Sequence, residues 1–117
     1  MRDPNNPCLF CNINSQDLVF DNKFAFVSFD SYPVSKYHSL IVPKRHILDY
    51  FELNNDELLA CNDLIKKIKK KIQNEDKTVD GFNIGTNSGV FAGQSIMHCH
   101  IHLIPRRKGD VDNPQGG

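Results

Sequence analysis

Tryptophan is absent from the 117 residues, and so is any excess of charge: 14 basic and 14 acidic side chains cancel to a formal net charge of zero. Without surplus positive charge the chain has no global field to draw in nucleic acid or an anionic membrane. No apolar run approaches the ~20 residues that span a bilayer, and residues 1–7 carry no apolar signal-peptide segment. These absences exclude nucleic-acid and membrane partners from the expectation, and they lead us to expect a cytoplasmic protein with reduced thiols. No internal repeat or low-complexity tract is present. A mean hydropathy of −0.44 describes an ordinary globular chain. We expect a single domain over residues 1–108 and a flexible Gly/Pro/Asp/Asn-rich tail over residues 109–117.

What is present is a pattern of short strands around one helix. Residues 18–20 and 24–29 read as two strands joined by the turn-prone Asp21-Asn22-Lys23. Residues 39–42 read as a third, ended by Pro43. Residues 46–53 are suited to a short second helix. The main helix is expected over residues 55–73, because Leu58, Cys61, Ile65, Ile68 and Ile72 recur at spacings of 3, 4, 3 and 4. Asn54 is a good N-cap, and Glu57 completes a capping-box pattern. The lysine run at 66–71 reads as the solvated face of that helix. Residues 74–80 read as a polar loop, 81–86 as a fourth strand, 87–93 as a glycine turn, and 95–104 as the last strand, ended by Pro105. Short connections between strands imply an antiparallel sheet and an α+β fold.

The chemistry lies in four cysteines and five histidines. On a strand, His98, His100 and His102 would share one face, with Cys99, Ile101 and Leu103 on the other. Three histidines in register are hard to explain by packing. They cannot easily bind one metal together, because the outer pair of a straight strand spans ~13 Å. Divided labour follows: one end binds metal while the rest do something else. Cys8-Leu9-Phe10-Cys11 has the spacing of half a zinc site. Cys61 and Cys99 read as buried small hydrophobes, so the pair must look to histidine for its remaining ligands. A redox pair, or two unligated thiols, is the alternative. The turn Asn87-Ser88-Gly89-Val90-Phe91-Ala92-Gly93-Gln94-Ser95 leads into the histidines, and its small residues would let backbone N–H groups approach an anion.

Asn87-x-Gly89, Ala92-Gly93-Gln94-Ser95 and His98-x-His100-x-His102-Leu-Ile-Pro-Arg together resemble the signature of the histidine triad (HIT) family. Cys8-Leu-Phe-Cys11, Asp30 and His38-Ser-Leu-Ile-Val-Pro-Lys-Arg-His46 fall in the family's order, so the resemblance spans residues 8–110. It implies an α+β half-barrel antiparallel sheet of about five strands with one main and one short helix, usually in a homodimer. It implies a nucleotide hydrolase or nucleotidyl transferase that forms a covalent nucleotidyl-histidine and releases AMP from a phosphoramidate, an acyl adenylate or a dinucleoside polyphosphate. Imidazole suits that role, since its reference pKa of ~6.5 leaves it appreciably neutral near pH 7. By matching position His100 is the nucleophile. His102, His38, the Ser95 hydroxyl and the backbone amides of Gly93, Gln94 and Ser95 stabilise phosphate charge. Asn87 lines the phosphate site and Asp30 binds the ribose. In the CxxC subgroup the matching ligands of a structural zinc are Cys8, Cys11, His46 and His98; no organic cofactor is implied. The phosphoramidase branch often carries a tryptophan near its site, and this chain has none. A nucleotide-binding regulatory module with weak catalysis is the alternative, and a catalytic metal hydrolase is a third.

Overall fold

The computed structural model describes residues 7–115, and its core lies between one helix and one face of an open five-stranded sheet. The strands are β1 (Phe20–Asp21), β2 (Ala25–Phe29), β3 (Ser39–Pro43), β4 (Val79–Gly85) and β5 (Ile101–Arg107), in the order β1-β2-β3-β5-β4. Every pairing is antiparallel, as the short connections require. The β1–β2 turn forms because the Asn22 carboxamide oxygen accepts the N–H groups of Phe24 and Ala25. Its Nδ2 donates to the Ala60 carbonyl, which ties the hairpin to the helix.

The helix α1 (Asn55–Glu75) starts at the expected residue with a complete capping box between Asn54 and Glu57. It runs two residues past the expected end. Ala60, Cys61, Leu64, Ile68 and Ile72 form its buried stripe, with Leu58 and Ile65 half-buried beside it. Ile68 and Ile72 are fully buried, which stabilises the fold by ~1.5–3 kcal/mol each. They pack on Ala25, Val27, Ile41, Ile101 and Leu103. The lysines at 66, 67, 69 and 70 are exposed and Lys71 is half-buried. Lys67 lies over the Phe20 ring, 4.4 Å from its centroid. The short second helix expected at 46–53 is a single 3-10 turn, Tyr50–Glu52, capped by Asp49.

Alternation sends Phe26, Leu40, Val42 and His102 to the opposite face. There Phe26, Leu40 and Val42 pack with Phe10, Cys8, Ile13, Leu18 and Ile96 from the flanking segments.

Other boundaries differ from expectation as well, beginning with the first strand, expected at 18–20 and found at Phe20–Asp21. The fourth strand begins at Val79, inside the expected loop. The last strand covers Ile101–Arg107, so it excludes residues 95–100 and includes Pro105. The Pro105 carbonyl accepts the Ser35 hydroxyl at 2.6 Å instead of a ladder N–H. Its missing N–H faces that same edge, where β3 has already ended and no ladder partner waits. The tail expected to be flexible from residue 109 begins as a pinned turn: Asp110 accepts the Arg107 N–H at 3.1 Å and pairs with Arg106 at 3.3 Å. Residues 1–6, and Gly116 and Gly117 of the expected tail, lie outside the described residues.

Candidate active site and metal centre

A knot of hydrogen bonds replaces the expected first half of the histidine strand. Gly89 (φ +90°) and Gly93 (φ +94°) adopt backbone conformations that favour glycine, around the 3-10 turn Val90–Ala92. Buried Gln94 holds the turn closed. Its Oε1 accepts the Gly89 N–H at 2.8 Å, and its Nε2 donates to the carbonyls of Leu48 (2.7 Å) and Ile96 (3.0 Å). The Cys99 N–H then donates to the Ile47 carbonyl at 2.8 Å. The histidine segment is therefore pinned by residues 47 and 48, not by a strand ladder. His98 and His100 precede β5, and only His102 stands on it.

His98 joins Cys8, Cys11 and His46, whose ligand atoms all lie within 4.8 Å of one another. The separations are 3.3 Å (Cys8 Sγ to His98 Nδ1), 3.6 Å (Cys11 Sγ to His98 Nδ1), 3.1 Å (Cys11 Sγ to His46 Nδ1) and 3.2 Å (between the two Nδ1 atoms). A tetrahedral zinc with bonds of ~2.3 Å to sulfur and ~2.0–2.1 Å to nitrogen needs S···N of roughly 3.6 Å and N···N of roughly 3.3 Å. The donor set fits. The His98 tautomer fits too: its Nε2 lies 2.8 Å from the Pro43 carbonyl, which only accepts, so Nε2 carries the proton and Nδ1 presents a lone pair to the cluster. Burial depresses the pKa of His98, which keeps it neutral and able to ligate.

The other two histidines of the segment turn away from this cluster. His100 Nδ1 donates to the His98 carbonyl at 2.8 Å, so its lone pair is on Nε2. His38 Nδ1 accepts the Val34 N–H at 3.0 Å, so its proton is on Nε2 and points at His102 Nδ1, 2.8 Å away. His102 must then carry its own proton on Nε2. The result is a bare nitrogen on His100 beside a donor on His102, with the two rings 5.1 Å apart and nearly perpendicular. Burial lowers the pKa of both His38 and His102; Asp30 partly opposes this at each. Both are therefore neutral near pH 7, in the tautomers the bonds dictate.

Several of the expected site groups are bonded within the protein. Both nitrogens of His38 are engaged within the protein, so His38 orients His102 and has no further proton to offer a phosphate. The Gly93 and Gln94 N–H groups bond to the carbonyls of Val90 and Gly89. Two of the three amides expected to cradle an anion are thus used inside the turn, and the Gln94 side chain is structural. Ser95 is exposed, as is Asn87, whose Nδ2 donates weakly to the Gly93 carbonyl at 3.4 Å. Arg107 reaches away, to Asp76 (2.9 Å) and the Lys36 carbonyl (3.2 Å).

A cleft of about 820 Å³ is lined by Phe10, Ile13, Leu18, Phe29, Leu40 and Ile96 and by the polar Asn12, Asn14, Gln16, Asp17, Ser28 and Asp30; no histidine lines it, and Phe10 and Asp30 are its links to them. Asp30 Oδ1 accepts the Tyr32 N–H at 2.9 Å, and Oδ2 lies 3.5 Å from His38 Nε2. Its size and mixed lining suit a small amphipathic ligand. Sequence reasoning missed the cleft, and Phe10 above all. The only available signal was that an apolar aromatic sits inside the CxxC spacing.

Residues 12–109 match the model of the HIT domain. The chain belongs to the HIT family. An uncharacterised HIT-like protein of Methanocaldococcus jannaschii is 39% identical over 108 residues, which cover 88% of this chain and 81% of the relative. An adenosine 5′-monophosphoramidase of Schizosaccharomyces pombe is 31% identical over 103 residues, 85% of this chain and 74% of the relative. The crystal structure of a zinc-bound histidine triad family protein from Mycobacterium smegmatis superposes with a TM-score of 0.78 at 26% identity, covering 89% of this chain and 78% of that one. The open antiparallel sheet with one main helix is thus the HIT fold, and this HIT protein has a cysteine–histidine cluster able to hold a metal ion. No helix among the described residues is long and apolar enough to cross a membrane.

Proposed function

We propose that this HIT protein cleaves adenosine nucleotides at the α-phosphate through a nucleotidyl-His100 intermediate. The observation that carries the reading is the tautomer of His100: an Nδ1–H held by the His98 carbonyl leaves Nε2 bare next to a donating His102. The nucleoside lies in the cleft, with Asp30 receiving the ribose hydroxyls. His100 Nε2 attacks the α-phosphorus; the N–P bond forms as the bond to the leaving group breaks. The Ser95 hydroxyl assists departure of that group. The His102 Nε2–H, the Ser95 N–H and Asn87 meet the charge that develops on the phosphate oxygens. Water then attacks phosphorus, the N–P bond breaks and AMP leaves. One difficult displacement becomes two easier ones. The S. pombe relative, an adenosine 5′-monophosphoramidase, supports adenosine as the nucleoside and a phosphoramidate as one substrate class.

In the same reading Cys8, Cys11, His46 and His98 hold a structural zinc ion, as the zinc-bound M. smegmatis neighbour supports. With four protein ligands the metal has no open position and takes no part in the chemistry. A homodimer completes the proposal, and β4, an edge strand with Ile84 61% exposed, is available for it. The test is AMP release from adenosine phosphoramidates, dinucleoside polyphosphates and adenylyl sulfate. His100→Ala abolishes release on every substrate while the fold and one zinc per chain remain. Undiminished release by that variant overturns the assignment.

A further inference from the structure

The metal centre and the candidate phosphate site touch through one peptide and one ring. His98 is held at three points. Its Nδ1 lies in the donor cluster, its Nε2 donates to the Pro43 carbonyl, and its own carbonyl accepts the His100 Nδ1–H at 2.8 Å. Phe10 bridges the same two residues through space. Its ring lies 5.6 Å from that of His98 and 5.2 Å from that of His100. An unbroken row of rings results, His46–His98–Phe10–His100–His102–His38, with each neighbouring pair 4.9–5.6 Å apart. Phe10 is 4% exposed, whereas Leu9 beside it is 65% exposed. The CxxC knuckle therefore turns one of its two middle residues out and drives the other in against the histidines.

We infer that Phe10 is a positioning residue, through which the cysteine–histidine metal centre sets the tautomer and ring orientation of His100. The inference rests on the proposed nucleophilic role of His100. Cys8 and Cys11 flank Phe10, so a metal that fixes both thiolates fixes the Phe10 ring. The ring packs against the imidazole of His100 and opposes its rotation about Cβ–Cγ. Rotation breaks the 2.8 Å bond to the His98 carbonyl and releases the Nδ1 proton. The other tautomer carries its proton on Nε2 and has no lone pair to offer phosphorus. The metal thereby acts on catalysis without touching substrate. The remaining contacts of Phe10, to Phe26 at 6.4 Å and to the cleft, would be kept by any apolar residue of similar volume. The tilted ring-on-ring contact with His100, 52° between the planes, needs the planar ring.

The test uses zinc-loaded full-length protein and Phe10→Leu, with Phe10→Met as a second variant where the first does not fold. Three quantities are read: zinc per chain, the His100 tautomer by long-range 1H–15N NMR, and kcat and KM for AMP release. We expect one zinc per chain in each protein. Wild-type His100 is a single Nδ1–H tautomer and the variant a mixture. kcat falls at least ~10-fold, because small displacements of a reacting group carry such losses; Phe10 also lines the cleft, so KM is free to move and the tautomer decides the question. A single unchanged tautomer in the variant overturns the inference, as does a loss of kcat that only tracks loss of zinc. Failure of the functional reading looks different: wild type turns over no nucleotide, yet its tautomer still responds to the Phe10 substitution.

Discussion

Replacing Cys8 by serine tests how much of the fold depends on the proposed metal centre. The substitution changes little volume but exchanges a thiolate for a hydroxyl that zinc binds poorly. The magnitude follows from the topology. Cys8 and His98 are 90 positions apart, and Cys11 and His46 are 35 apart. A cross-link closing a 90-residue loop removes ~4.6 kcal/mol of unfolded-chain entropy at 25 °C, and one closing 35 residues about 3.8 kcal/mol. The two loops share chain, so the terms do not add, and real clips deliver less than the formula. We expect Cys8→Ser to cost ~3–5 kcal/mol. Unfolding entropy of ~2.1 cal/mol/K per residue gives about 0.25 kcal/mol/K for 117 residues. The expected drop in Tm is therefore roughly 12–20 °C. Scanning calorimetry of both proteins, with metal analysis of the same samples, measures it. Wild-type protein that carries one zinc per chain but melts within ~3 °C of the zinc-free variant refutes the idea that the ion clips the N-terminal segment to residues 46 and 98.

Three further outcomes are expected. Glu57 is 2% exposed and accepts three hydrogen bonds, two from Arg45 and one from the Asn54 N–H. Arg45 is itself half-exposed and returns to water, so Glu57→Ala should cost about 2–3 kcal/mol by urea titration; a cost under 0.5 kcal/mol would contradict this. Because Arg45 holds the Glu57 carboxyl below its usual pKa, that contribution is present above about pH 4.5 and is lost as pH falls. Burial also lowers the folded pKa values of His38 and His102, below 6.5, so the unfolded chain binds more protons as pH falls through that value. Stability should decrease between pH 7.5 and 5.5, by at most ~1.4 kcal/mol per group per pH unit, and His38→Gln should flatten the profile in the same denaturant assay. Gly93→Ala places a side chain at φ +94° with its Cβ 3.3 Å from Asn87 Nδ2; we expect a loss of ~1–3 kcal/mol and reduced AMP release, checked by melting and turnover.

Local rules carried much of the fold. The α1 start was legible because Asn54 and Glu57 satisfy each other's backbone groups within four residues of chain. The Asn22 turn was legible because its carboxamide bonds the next residues. Pro105 misled because proline reads as a strand end. What decides its tolerance is whether a neighbour needs the missing N–H, and that depends on where β3 stops. The histidine segment misled for a related reason. Strict alternation of polar and apolar residues looks like a strand, but His98 and His100 are placed by Gln94, Leu48 and Ile47, contacts that alternation does not encode.

The sequence by itself determined the antiparallel α+β class and the family, because residue type and short spacings carry that information; the candidate donor set came with the family resemblance. Tertiary structure alone decided which proton sits on which nitrogen. That choice depends on the carbonyls of Pro43 and His98 and the N–H of Val34, and every backbone has those groups. Only folding selects which of them a given imidazole meets. Folding also engaged both nitrogens of His38, tied up Gln94 in the glycine turn, and packed Phe10 against His98 and His100.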